Sequence, residues 1–137
     1  MKFTRGQNIE VASKEEGYMG SYYEAIVITE VLRQEYIVQY KTLLKDDLSA
    51  PLREVVAAAE IRPSPPHVEA PARGFKKRDK VDALDNEGWW VGVITKVVGT
   101  KYYVYFRTTG EELEYDVGSL RVHQDWVRGK WVVAKRG

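Results

Sequence analysis

The sequence repeats itself, and the repeat is what most limits its folding. GQNIEVAS (6–13), SYYEAIVI (21–28), EYIVQY (35–40) and LREVVAAAEIRP (52–63) are followed, in the same order, by RDKVDALD (78–85), GWWVGVIT (88–95), KYYVYF (101–106) and EYDVGSLRV (114–122). Tyr22 and Tyr23 fall on Trp89 and Trp90, Ala25 on Gly92, Val27 on Ile94, Tyr40 on Phe106, and Ile61 and Arg62 on Leu120 and Arg121, with only short gaps. A period of about 65 residues is one small domain and not a solenoid unit. Between the copies lies RPSPPHVEAPARG, with Pro63, Pro65, Pro66 and Pro71, each lacking a backbone donor and biasing its predecessor to extended geometry. The expected organisation is a first domain over 1–63, a stiff linker over 64–74 and a second domain over 75–137.

Each copy reads as all-β. Its segments are short, rich in Val, Ile, Tyr and Trp, and separated by Gly, Asp, Glu and Lys turns, the pattern of antiparallel strands. Helical character is confined to PLREVVAAAEI (51–61), where Pro51 at a first helical position predicts a turn or two of helix before Pro63. Four or five strands closed by such a turn make a small barrel with a thin core, so the two barrels are expected to pack as one body.

Composition removes most chemistry. The chain has no cysteine and only two histidines, which excludes disulfides, thiolate metal sites and most imidazole catalysis. His67 and His123 are therefore read as structural or exposed. No Ser, His and Asp arrangement, phosphate loop or metal-ligand spacing is present, so neither enzyme nor cofactor is expected. No apolar run reaches the roughly 18–20 residues of a membrane span and no signal peptide is evident, so the chain is expected in a reducing compartment, away from membranes. Its net charge of +1 argues against a protein held to DNA by a broad basic field. That figure averages 8 Lys and Arg against 11 Asp and Glu in residues 1–70 with 13 against 9 in the remainder.

The paired motif, with EEGYMGSYYEAIV, YIVQYKTLLKDD and LREVVAAAEIRP, then VDALDNEGWWVGVITKV, YYVYFRTTGEELEYD and SLRVHQDWVRGKW, resembles a tandem Agenet module, the plant Tudor-like domain of the Royal superfamily. The resemblance covers nearly the whole chain. It implies two SH3-like β-barrels in tandem that read methylated lysine or arginine on protein tails. More narrowly, it implies the tandem pairs of plant heterochromatin, which read a repressive methyl mark on the histone H3 tail. A nuclear, gene-silencing role follows as an expectation, with the chain a monomeric piece of a longer protein carrying several such pairs.

The aromatic share of 12% fits that reading, because a methylated ammonium is recognised by ring faces with a carboxylate nearby. Strand alternation places Tyr23 on one face with Ala25 and Val27, and aligns Tyr36, Val38 and Tyr40. The family's cage positions fall on Tyr23 and Tyr40, with Tyr18 or Tyr22 as a third wall and Glu15, Glu16, Asp46 and Asp47 as acidic neighbours. In the second copy they fall on Trp90 and Phe106, with Asp85, Glu87, Glu111 and Glu112 as the rim. Two aromatics of the single-domain Tudor pattern are replaced, one by Ser13 and Asp85, the other by Leu43 or Thr109, so each cage is expected to be partial. The first copy is favoured as the methyl-lysine reader because it is acidic and Tyr18 adds a ring. The second copy, or the groove between copies, would hold another tail residue. Trp126 and Trp131 lie beyond the last expected strand and are read as packing across the interface. The alternative is an RNA or single-stranded DNA module using KKRDK (76–80) and exposed Tyr and Trp.

Overall fold

The structure, a computed structural model, describes residues 2–15 and 18–133. It is all-β and divides by its contacts into two units, Met1–Lys14 with Tyr22–Ser64 and Glu15–Ser21 with Pro65–Gly137.

The first unit is built from β1 (Asn8–Ala12), β2 (Ser21–Leu32), β3 (Glu35–Leu44), β4 (Pro51–Ala57) and β5 (Ile61–Pro63). The antiparallel order is β5-β1-β2-β3-β4, and slips in the β2–β3 register at Val27/Thr29 and Glu30/Leu32 bend the sheet into a barrel. Alternation along β2 is strict: Tyr23, Ala25 and Val27 are buried with Ile9, Val11, Tyr36, Val38, Tyr40 and Ile61. The helix expected over 51–61 shrinks to one 3-10 turn, Ala58–Glu60, because Pro51–Ala57 is strand. Val55 and Val56 gain cross-strand partners in Ile37 and Tyr36, and Pro51 opens the strand, where a missing N–H is tolerated. Pairing thus outweighs the helix propensity of the alanine run.

The second unit repeats the plan with β6 (Lys80–Asp85), β7 (Gly88–Val98), β8 (Lys101–Phe106), β9 (Glu111–Asp116), a 3-10 turn (Val117–Ser119) and β10 (Leu120–Val122), in the order β10-β6-β7-β8-β9. It then adds a separate hairpin, β11 (Gln124–Val127) and β12 (Lys130–Val133). Trp126 and Trp131 are therefore strand residues. They pair directly across this hairpin, with ring centroids 5.2 Å apart.

Both barrels are closed by the same device. Glu10 and Arg62 are opposite each other in β1 and β5, and Arg62 donates through Nη2 to Glu10 Oε1 at 2.7 Å while its guanidinium lies 3.5 Å over the Tyr22 ring. In the second unit Arg121 donates to Asp82 Oδ2 at 2.8 Å and lies 4.1 Å over Trp89. The outward ring of each aromatic pair is thus a plate under a guanidinium. The second copy adds His123, whose Nδ1 and Nε2 face Asp82 Oδ1 at 2.7 Å and Asp125 Oδ1 at 2.9 Å. Burial alone would lower the His123 pKa, but the hydrogen bond and charge of Asp82, then those of Asp125, outweigh it and raise the value.

Two outcomes follow from these clusters. Arg62→Leu leaves Glu10 buried without its cation and lowers unfolding free energy by about 3–5 kcal/mol in urea titration, while adding Glu10→Leu recovers much of the loss. His123 has a folded pKa above its unfolded value of 6.5, so its contribution is complete below that pH and fades as pH rises through the folded value. Between about pH 6 and pH 9 the wild type should therefore lose more stability than His123→Gln.

Candidate functional site

The second unit carries a cavity where β6 turns into β7. Asp85 ends β6 and pairs with Gly88, so Asn86 and Glu87 form a two-residue hairpin turn, both at positive φ (46° and 64°). Such a turn favours Asn-Gly, and a glutamate there is strained. Side chains from β7 and β9 hold both ends of Asp85 in place. Its carbonyl accepts the Trp90 indole N–H at 2.8 Å, and its carboxylate Oδ2 accepts the Tyr115 hydroxyl at 2.6 Å.

Around Asp85 the strands deliver rings by alternation. Trp90 comes from β7, Phe106 from the end of β8 and Tyr115 from β9, and all three are buried. Phe106 and Tyr115 meet edge to face at 6.1 Å, and Tyr18, 44% exposed, stands 5.9 Å from Trp90 as an outer wall. The four rings, with Asp85, Asn86, Thr109, Glu111 and Leu113, line a cavity of about 240 Å³. Gly92 allows this close approach. A Cβ there would sit 2.4 Å from Val104 Cγ1 and 3.1 Å from Phe106 Cε1. Burial, then the hydrogen bond and charge of Asp85, push the Tyr115 phenol far above its ordinary pKa, so it remains a neutral donor. The negative charge at the mouth is that of Asp85 and Glu111. A lining of ring faces and carboxylates suits a cation; among the described residues no group of His, Asp or Glu is arranged to hold a metal.

The residues singled out in the second copy, Asp85, Trp90, Phe106 and Glu111, are brought together here. Glu87 sits in the adjoining turn, while Glu112 lies on the opposite strand face and accepts from the Thr95 hydroxyl at 3.1 Å. Those singled out in the first copy are dispersed. Tyr23 and Tyr40 are buried, and the Tyr40 hydroxyl donates to Glu54 at 3.1 Å. Tyr22 lies under Arg62, and Tyr18 belongs to the second unit's cavity. Asp46 and Asp47 are in an exposed turn, where Asp47 accepts from Ser49 N and Oγ, bonds that lower its pKa. Glu15 is exposed, and Glu16 lies outside the described residues.

Different side chains at equivalent register positions explain the asymmetry. Where Tyr115 faces Tyr102, Val56 faces Tyr36; where Asp85 ends β6, Ser13 stands two residues past Val11; and Leu52 takes the place of Glu111. Sequence reasoning missed Tyr115. Alternation along EELEYD does put it on the face of Glu111 and Leu113, but nothing local says that this face looks into the barrel mouth. If Asp85 depends on Tyr115, Tyr115→Phe should cost about 1.5–3 kcal/mol in denaturant titration, as expected for a hydrogen bond to a charged group. Tyr18→Ala, at an exposed ring, should change stability by no more than about 0.5 kcal/mol.

The sequence profile of the Agenet domain matches residues 6–66 and again residues 78–133. The chain is 41% identical over 133 residues to Protein AGENET DOMAIN (AGD)-CONTAINING P1 of Arabidopsis thaliana, covering 96% of this chain and 26% of that protein. It is 35% identical over 132 residues to DUF724 domain-containing protein 6 of the same plant, covering 93% of this chain and 19% of that one. It thus spans about a quarter and a fifth of these relatives' lengths. Among solved structures, that of Arabidopsis thaliana AGDP1 AGD34 superimposes with a TM-score of 0.86 at 35% identity, covering 96% of this chain and 90% of that one. The ADCP1 tandem Agenet domain 3-4 gives 0.84 at 33% identity, covering 97% and 89%. Two matched copies on two barrels of one plan make this chain a tandem member of the Agenet domain family, a family of chromatin-associated, reader-type binding modules.

Proposed function

We propose that the chain reads a methylated lysine on the histone H3 tail, with the lysine-nine mark of heterochromatin favoured, and that the second unit does the caging. The observation that carries this is the cavity formed by Tyr18, Trp90, Phe106 and Tyr115 with Asp85 and Glu111 at its edge. A methylated ammonium has lost donors and gained apolar surface, so ring faces and a nearby carboxylate discriminate it from plain lysine. Three of the four rings are buried and Asp85 is fixed from two sides, so little ordering is needed on binding. The H3 tail and lysine nine are favoured by the likeness to tandem Agenet modules. Such a ligand would place the protein on chromatin in the nucleus, with the first unit holding another part of the tail.

Calorimetric titration with H3-tail peptides bearing unmodified, mono-, di- or trimethylated lysine nine tests the reading. A methylated peptide should bind at least about tenfold tighter than the unmodified one, a difference of about 1.4 kcal/mol. Equal affinity for all four would sink caging altogether. Tyr18→Ala and Asp85→Asn should each erode the discrimination, and retention of full discrimination by both would move the methyl site away from the second unit.

A further inference from the structure

The most basic stretch of the chain lies at the opposite end of the same barrel from the cavity. Arg73 to Lys80 holds five cations, Arg73, Lys76, Lys77, Arg78 and Lys80, and one acid, Asp79. All five cations are exposed, whereas Asp79 is 5% exposed. The Asp79 carboxylate is turned back onto its own loop, accepting the Lys76 N–H at 2.9 Å. It therefore organises the turn from within instead of neutralising its outer face.

The turn is rigidly built. The Asp79 N–H donates to Lys76 O at 3.0 Å, Arg78 N–H to Ile94 O at 2.8 Å, and Ile94 N–H to Asp79 O at 2.9 Å. Phe75 is buried edge-on to Tyr102 at 5.8 Å, which anchors the preceding residue. Arg78 is held at φ 80°, where a non-glycine residue is strained. None of the five cations takes part in an ion pair among the described residues.

We propose that this turn is a contact site for the phosphate backbone of duplex DNA, separate from the cavity. β6 runs from Lys80 to Asp85, so the two ends are about 17 Å apart at roughly 3.3 Å per residue. Asp85, Glu87 and Glu111 repel a polyanion from the cavity end, and the basic turn attracts one to the other. A duplex suits the turn better than a single strand. The turn's own aromatic, Phe75, is buried against Tyr102 and offers no face on which a base could stack. What remains is charge at fixed spacing, which reads phosphates and not sequence.

Fluorescence anisotropy with random-sequence duplexes of about 20 base pairs tests the proposal. Binding should be weak, about 1–100 µM at physiological salt, and independent of sequence. Three or four phosphate contacts give a log–log salt slope of about −2.7 to −3.6, or about 40- to 150-fold weaker binding between about 50 and 200 mM salt. The triple variant Lys76→Gln, Lys77→Gln, Arg78→Gln should bind at least about tenfold more weakly, with a slope nearer zero. Its affinity for H3-tail peptides should be unchanged, which separates this site from the reader cavity and shows that the variant is folded. No duplex binding at about 50 mM salt, or an unchanged slope in the triple variant, would overturn the proposal, as would tighter binding of a single-stranded oligonucleotide that the variant retains.

Discussion

Each barrel depends on a carboxylate buried in the middle of its first strand. Glu10 and Asp82 are 1% exposed, and a charge so placed is tolerated only if a cation and good hydrogen bonds accompany it. The closing strand supplies that cation. Arg62 and Arg121 sit directly opposite in register, so a strand of only three residues, Ile61–Pro63 or Leu120–Val122, is locked to the opposite end of the chain segment. The guanidinium is sandwiched on its other side by Tyr22 or Trp89, which explains why both copies place two aromatics side by side at the start of their second strand. The inner ring fills the barrel mouth and the outer ring holds the arginine.

On that shared frame, a few exchanges set the two mouths apart. Ser13, Leu52 and Val56 in the first unit stand where the second has Asp85, Glu111 and Tyr115. Those exchanges remove two carboxylates and a ring from one mouth while leaving the cores equivalent, so one barrel has an acidic, ring-lined cavity and its twin has a buried Tyr23 and Tyr40. Gly92 in place of Ala25 completes the difference, since a methyl group there would collide with Val104 and Phe106. The difference between the two mouths is a matter of side chains at the open end, with the strand order of the barrel itself unchanged.

The second unit is polarised along β6. Its carboxyl end meets rings and carboxylates, and its amino end meets the turn that Asp79 ties together beneath Lys76, Lys77 and Arg78. The near-neutral total of +1 hides this separation. Asp82, Arg121 and His123 lie between the two ends, so the charged groups that stabilise the barrel are distinct from those that face ligands.

Much of the fold is legible in the residues alone. The duplication, the all-β character and the inward face of each strand follow from period-two alternation, and this is a local property: Tyr23, Ala25 and Val27 must share a side whatever surrounds them. Trp90 and Phe106 could be named for the same reason, and Asp85 and Glu111 as acidic neighbours of those rings. What alternation does not contain is register and long-range partnership. It read Pro51–Ala57 as helix because only pairing with β3 makes it strand, overlooked Tyr115 because its value lies in reaching Asp85 from thirty residues away, and assigned Tyr18 to the copy next to it in sequence. The sequence by itself determined two barrels with aromatic mouths. Only the tertiary structure decided which mouth is walled, because a cavity is made by side chains distant in the chain whose convergence depends on strand register.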